Sequence, residues 1–318
     1  MRVKARQNVH KYFVLHNITS MISPPFLKKG DAVGLVAPAR KISGPELSEA
    51  IKIIEKKGFR VVKSPHLFAS ENQFAGGDLL RAAGMQQMLD DKEIKAVFAV
   101  RGGYGSVRVV DKIDFRLLLQ YPKWLVGYSD FTVFHNHLIN LGIESLHATM
   151  PLNFAGNTPE ALESLFDVLE GKKPRYQWQA EPFNRQGKAR GVLAGGNLSV
   201  LYSLLGSSSF PDMSGKILFL EDLDEYLYHI DRMMMALKRA KILENIHGLV
   251  VGGLTEMHDN TVPFGKTAEE IVRESVEEYD FPVAFGFPAG HQPDNRALIM
   301  GSTVYLEVTK EGPVLDFH

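Results

Sequence analysis

The 318-residue chain contains no cysteine, which removes disulfides, thiolate metal ligands and a cysteine nucleophile and fits a cytoplasmic protein. No stretch approaches the roughly 18 consecutive apolar residues of a membrane span. An excess of charge of one sign is also missing. Lys and Arg number 36 against 37 Asp and Glu, for a net charge of -1, and the cations are scattered. Neither nucleic acid nor a membrane surface is therefore expected as a partner. Repeats and low-complexity segments are absent. The first twenty residues are basic, but their apolar piece, YFVL, is too short for the core of a secretory signal. Structured sequence is expected to begin near Met21.

What is present is an ordinary globular composition, 45% apolar and 23% charged. The length exceeds the usual single domain, so two domains sharing a cleft are expected. From Lys29 onward strands and helices alternate. DAVGLVAPA (31–39), RVVKSP (60–65), AVFAV (96–100), WLVG (124–127) and IESL (143–146) read as strands, with helices between them, which implies an open parallel sheet with right-handed crossovers. After Pro151 the character changes. NTPEALESLFDVLEG reads as one helix, and GKKPRYQWQAEPFNRQGK as a polar linker. A second unit starts near Ala189 and becomes β-rich at its end, where ALIM-GS-TVYLEV reads as a hairpin with a Gly-Ser turn. The expected division is an extension over 1–24, an α/β domain over 25–156, a helix and linker over 157–187, and a smaller mixed domain over 188–318.

Several short stretches carry candidate chemistry. In VGYSDF, Ser129 follows an apolar strand and Gly127 and precedes a helix, the placement of a strained nucleophile turn. The position two beyond it is Phe131, so the Gly-x-Ser-x-Gly pattern is half present, and a serine capping the helix remains the alternative. RGGYGS (101–106) is a glycine turn at the carboxyl end of a strand, suited to an oxyanion or phosphate, and it should share a sheet edge with Ser129. It lacks the Gly-Lys-Ser/Thr of a phosphate loop. KILFL (216–220) is followed by Glu221, which emerges from a buried strand. With Asp222, Asp224 and Glu225 it could hold Mg²⁺, whereas a solvated turn is the simpler reading of the last three. Among eleven histidines, His135 and His137 lie too far along their helix to reach Ser129 and face different sides of it. His147, His258 and His291 each follow an apolar strand, and pattern alone leaves them equal as bases.

Taken together the blocks LKKGDAVGLVAPA, AVFAVRGGYGS, LVGYSD, GVLAGGNLSVLYSLLGS, ILFLED and GHQPDN resemble the LD-carboxypeptidase family, from about Pro25 to Val308. That family comprises serine peptidases with a Ser-Glu-His triad, including murein tetrapeptide carboxypeptidases and microcin C immunity hydrolases. The resemblance implies Ser129 as nucleophile, Glu221 as acid and His291 as base. It also implies an oxyanion hole from the backbone N–H of Asp130 and of the Gly102–Gly103 turn. A flavodoxin-like first domain and a smaller β-containing second domain are implied, with no metal or cofactor, and a homodimer on which the residues themselves are silent. The implied reaction is release of terminal D-Ala from muropeptide tetrapeptides in cell-wall recycling. The alternatives are hydrolysis of a microcin C-like aminoacyl adenylate, for which Trp178 is the available stacking platform, and a non-catalytic ligand-binding module. Arg101, Arg232 and Arg296 are candidates for the substrate carboxylate. Asn197 is a candidate for other polar contacts, with a helix cap as the alternative.

Overall fold

The computed structural model describes residues 21–317. The extension expected over 1–24 lies outside the described residues as far as position 20. Its last residues join the fold, since the Ile22 backbone pairs with Gly142 and Glu144.

The first part of the chain runs β1 (Ala32–Val36), α1 (Gly44–Lys56), β2 (Arg60–Lys63), α2 (Asp78–Asp90), β3 (Ile94–Ala99), α3 (Arg116–Gln120), β4 (Trp124–Gly127), α4 (Thr132–Asn140) and β5 (Ser145–His147). The helix α1 starts where the sequence says it should. Ser43 and Glu46 form a capping box, Pro45 occupies the first turn, and Leu47, Ala50 and Ile54 face the core. The second part runs α5 (Pro159–Leu169), β6 (Arg175–Gln177), β7 (Gly187–Asn197), α6 (Leu198–Ser203), β8 (Ile217–Leu223), α7 (Leu227–Arg239), β9 (Gly248–Thr255), α8 (Ala268–Ser275), β10 (Val283–Ala284), β11 (Leu298–Met300), β12 (Thr303–Val308) and β13 (Pro313–Phe317).

Two sheets result. The first has the order β11-β5-β4-β3-β1-β2 and is parallel except at β11; the second has the order β10-β9-β8-β7-β12-β13-β6 and is mixed. The interior strands β1, β4 and β8 are buried at almost every position, as a parallel sheet covered on both faces requires.

The expected carboxy-terminal hairpin is not formed. β11 pairs antiparallel with β5 in the first sheet, whereas β12 pairs with β7 and β13 in the second. The Gly301–Ser302 turn therefore carries the chain from one sheet to the other, with Gly301 at φ +89°. The polar linker likewise contributes a strand, β6, whose Tyr176 is buried between two exposed neighbours. A single inward residue flanked by polar ones is too short an alternation to register as a strand. The sheets thus do not separate at one point in the chain: the second takes in residues before 188, and the first takes in residues near 300.

Candidate active site

Ser129 sits where β4 ends. Its φ is +62°, a left-handed conformation that a non-glycine residue adopts at a cost and that recurs at functional turns. It opens a 3-10 turn, Ser129–Phe131, which leads directly into α4. Neither the turn nor the helix is capped by a side chain, so the cap alternative is not realised. The half-present glycine pattern has a steric explanation. Phe131 folds back over Gly127, where an added Cβ would stand 2.8 Å from its ring, so one glycine makes room for the turn's own aromatic.

The glycine turn lies beside this serine. A Cβ on Gly102 would stand 2.9 Å from the Ser129 Cβ and 3.0 Å from its Oγ, so only glycine lets that backbone approach the hydroxyl. Gly103 has φ +109° and packs on Arg40. Two side chains hold the turn, the carboxylate of Asp130, of which the sequence suggests only the backbone N–H, and Arg81, which it does not single out. The Asp130 carboxylate, 3% exposed, accepts the Ser106 N–H at 2.8 Å. The buried Arg81 guanidinium donates to the Gly105 carbonyl at 3.0 Å and to the Pro38 carbonyl at 2.5 Å. Burial pushes the Asp130 pKa up, against the lowering effect of its hydrogen bonds from Ser106 and Gly105. An acid directly after a strand-end serine is a readable signal, but nothing in the pattern around Arg81 marks it.

Glu221 lies near the carboxyl end of β8 and, like Asp222 after it, is wholly enclosed. Its Oε2 lies 2.7 Å from Nδ1 of His291, whose side chain is 14% exposed. The approach depends on Gly290 at φ +106°, where a Cβ would stand 2.7 Å from that oxygen. Thr255 at the end of β9 donates to the His291 carbonyl at 3.1 Å, and Asn295 accepts the Gly290 N–H at 2.9 Å. Burial alone would lower the His291 pKa. The Glu221 charge and hydrogen bond, with smaller contributions from Asp222 and Glu256, outweigh it and raise the pKa above the ordinary histidine value. The Tyr128 ring, next to Ser129, packs against the His291 ring at 4.9 Å.

Of the other two histidines, His147 is fully buried in β5, with its pKa driven well below the ordinary value by burial and by His135 and His291. His258 is exposed and paired with Asp224 at 2.5 Å. Only His291 meets the carboxylate of Glu221.

The acidic run does not gather around a cation. Glu225 pairs with His229 at 2.5 Å and Asp224 with His258. Asp222 is buried rather than solvated, with its pKa pushed up to about 7 by burial and by the Glu221 charge. Among the described residues no cluster of His, Asp and Glu has metal-binding geometry.

A buried polar seam joins the two sheets here. Asn136 of α4 donates to the Gly195 carbonyl at 2.9 Å and accepts the Gly195 N–H at 3.2 Å. The Asn197 N–H donates to Thr132 Oγ1 at 3.0 Å, and its side chain donates to Asp222 at 2.8 Å while accepting the Val200 N–H at 3.1 Å. Asn197 is 3% exposed and is the N-cap of α6, so its side chain is committed to the fold.

A cleft of about 360 Å³ opens beside His291, lined by Tyr128, Leu152, Asn153, Asn157, Gln292 and Pro293 among others. None of the three candidate arginines lines it. Arg101 donates to the Lys41 carbonyl, Arg296 forms a two-pronged pair with Asp294, and Arg232 stacks 5.1 Å over Tyr228. Trp178 is no open platform, because its Nε1 donates to the Phe285 carbonyl at 2.8 Å and its ring packs edge-on against Phe287.

Residues 33–148 match the LD-carboxypeptidase N-terminal domain and residues 190–306 the LD-carboxypeptidase C-terminal domain. A probable murein peptide carboxypeptidase of Bacillus subtilis is 33% identical over 303 residues, covering 92% of this chain and 94% of that protein. The murein tetrapeptide carboxypeptidase of Pseudomonas aeruginosa is 28% identical over 291 residues, covering 86% and 92%. The crystal structure of muramoyltetrapeptide carboxypeptidase from Oxalobacter formigenes superposes with a TM-score of 0.83 at 27% identity, covering 90% of this chain and 98% of that one. With both family domains matched in order, the chain belongs to the LD-carboxypeptidase family and is a serine carboxypeptidase.

Proposed function

We propose that the protein releases the terminal D-alanine from muropeptide tetrapeptides in cytoplasmic cell-wall recycling, through Ser129, His291 and Glu221. The observation that carries this reading is the Glu221–His291 pair, 2.7 Å apart, whose imidazole packs on the ring of Tyr128, the residue before a serine in a strained turn. The names of the relatives supply the substrate class.

In the proposed mechanism Ser129 Oγ attacks the carbonyl of the last peptide bond while His291 Nε2 takes its proton. Glu221, hydrogen-bonded to Nδ1, holds the ring in the tautomer that leaves Nε2 basic and stabilises the cation that forms. The oxyanion rests on backbone N–H groups of Asp130 and of the Gly102–Gly103 turn, each worth on the order of 10²-fold in rate. His291 then gives its proton to the departing amine, the C–N bond breaks, and an ester to Ser129 remains. Water repeats the sequence and frees the serine. The departing D-residue occupies the cleft beside His291, where Asn153 rather than an arginine offers an amide donor, the amide of Asn157 being given to the Pro293 carbonyl.

Mass spectrometry of a purified tetrapeptide muropeptide after incubation tests the reading. Loss of one alanine from the carboxyl end, with the rest intact, is the expected result; an unchanged substrate, or cleavage elsewhere in the peptide, would overturn it.

A further inference from the structure

Beyond Glu221 and beyond Thr255, at the carboxyl ends of β8 and β9, the chain builds a surface that the proposed reaction does not use. Tyr226 and Tyr228 stand there 43% and 39% exposed. Their rings are 5.6 Å apart, and Tyr226 is 5.6 Å from the ring of His258. Exposed rings in a group are unusual on a soluble protein and point to something that covers them. The rim of this ledge is polar: Asp224 holds His258 at 2.5 Å, and Arg232 lies over Tyr228. Both loops that form it turn through a non-glycine residue in the left-handed region, Asp224 at φ +58° and Glu256 at φ +54°. Strain of this kind persists where the position of a loop matters. The ledge shares no residue with the cleft beside His291.

Rings flanked by a carboxylate, an imidazole and a guanidinium suit a sugar. Its apolar C–H face stacks on the aromatic, and its hydroxyl and acetamido groups meet the polar rim. The reach permits it as well. Tyr226 is five residues past Glu221, at most about 17 Å along an extended chain. His258 is three residues past Thr255, which holds His291. In a muropeptide three residues and a lactyl ether separate the scissile bond from the hexosamine, about 14 Å when extended.

We propose that the ledge is the sugar subsite of this active site, with Tyr226 and Tyr228 stacking on the N-acetylated hexosamine that carries the peptide. Asp224, His258 and Arg232 hydrogen-bond its polar groups. The proposal rests on the muropeptide reading and deepens it, because it makes the glycan-bearing tetrapeptide, rather than the bare peptide, the preferred substrate.

The test compares kcat/KM on two substrates, a tetrapeptide bearing the N-acetylated hexosamine and the same tetrapeptide without it, for the wild type and for Tyr226→Ala and Tyr228→Ala. The wild type is expected to favour the sugar-bearing substrate by about tenfold, and each variant to bring the ratio most of the way to one. A wild-type ratio of one overturns the proposal while leaving the peptidase reading standing; hydrolysis of neither substrate sinks both. A ratio that survives in the variants also overturns it. If light scattering then shows the variants losing a dimer, the ledge is an interface between two copies of the chain instead.

Discussion

Ser129 owes its position to its neighbours more than to its own type. The left-handed backbone there is tolerated because Phe131 covers Gly127, and because Gly102 leaves the space a Cβ would fill. Both glycines and the serine were legible as motifs, and the steric reason for each needed coordinates. His291 illustrates the same limit. Pattern alone left three histidines equal, and the difference between them is burial and partner: His147 is enclosed, His258 faces Asp224, and His291 meets Glu221. The raised pKa of His291 has a kinetic consequence. A general base works when neutral, so the acid limb of kcat/KM should lie above the ordinary histidine value of 6.5. In Glu221→Gln the charge that raises the pKa is gone and the lowering effect of burial remains, so the limb should move to lower pH while kcat falls by roughly 10³-fold or more. A pH–rate profile checks this, and a limb that stays in place would show that Glu221 does not set the state of His291.

Among the elements, α4 and β7 matter most for alignment, since one continues from Ser129 and the other lies beside the strand that carries Glu221. They are tied by Asn136, which exchanges two hydrogen bonds with the backbone of Gly195. Asn136→Ala leaves a buried N–H and a buried carbonyl without their partner, at a cost of about 1–3 kcal/mol. Thermal unfolding should show a lower Tm, and kcat measured well below that temperature should also fall; an unchanged Tm would mean the clamp is slack. This residue was hidden in the sequence because an asparagine inside a helix has no pattern of its own. The strands hidden in the sequence failed for other reasons. β6 is three residues long within a polar stretch, and the Gly-Ser turn after β11 imitates a hairpin while it carries the chain between sheets. The long apolar strands and capped helices, by contrast, were legible because burial on both faces and end signals act locally.

For the whole molecule, the decisive feature is that the two sheets are sewn together by the chain's end. β11 covers β5, whose three residues are all buried, and without it the first sheet would present a bare edge. A fragment ending at residue 187 should therefore lack a cooperative unfolding transition and bind no active-site probe; a stably folded fragment would contradict this view of the assembly. The same interdependence explains why no single stretch of sequence holds the proposed active site. Ser129 and its glycine turn belong to the first sheet, while Glu221 and the Thr255 that steadies His291 belong to the second.

In the proposed function this assembly makes Ser129 a nucleophile. Intact-mass and peptide-level mass spectrometry after a fluorophosphonate probe addresses it most directly. One adduct per chain is expected, located on Ser129, absent in Ser129→Ala and much slower to form in His291→Ala. Undiminished labelling of Ser129→Ala, or an adduct on a different serine, would contradict it.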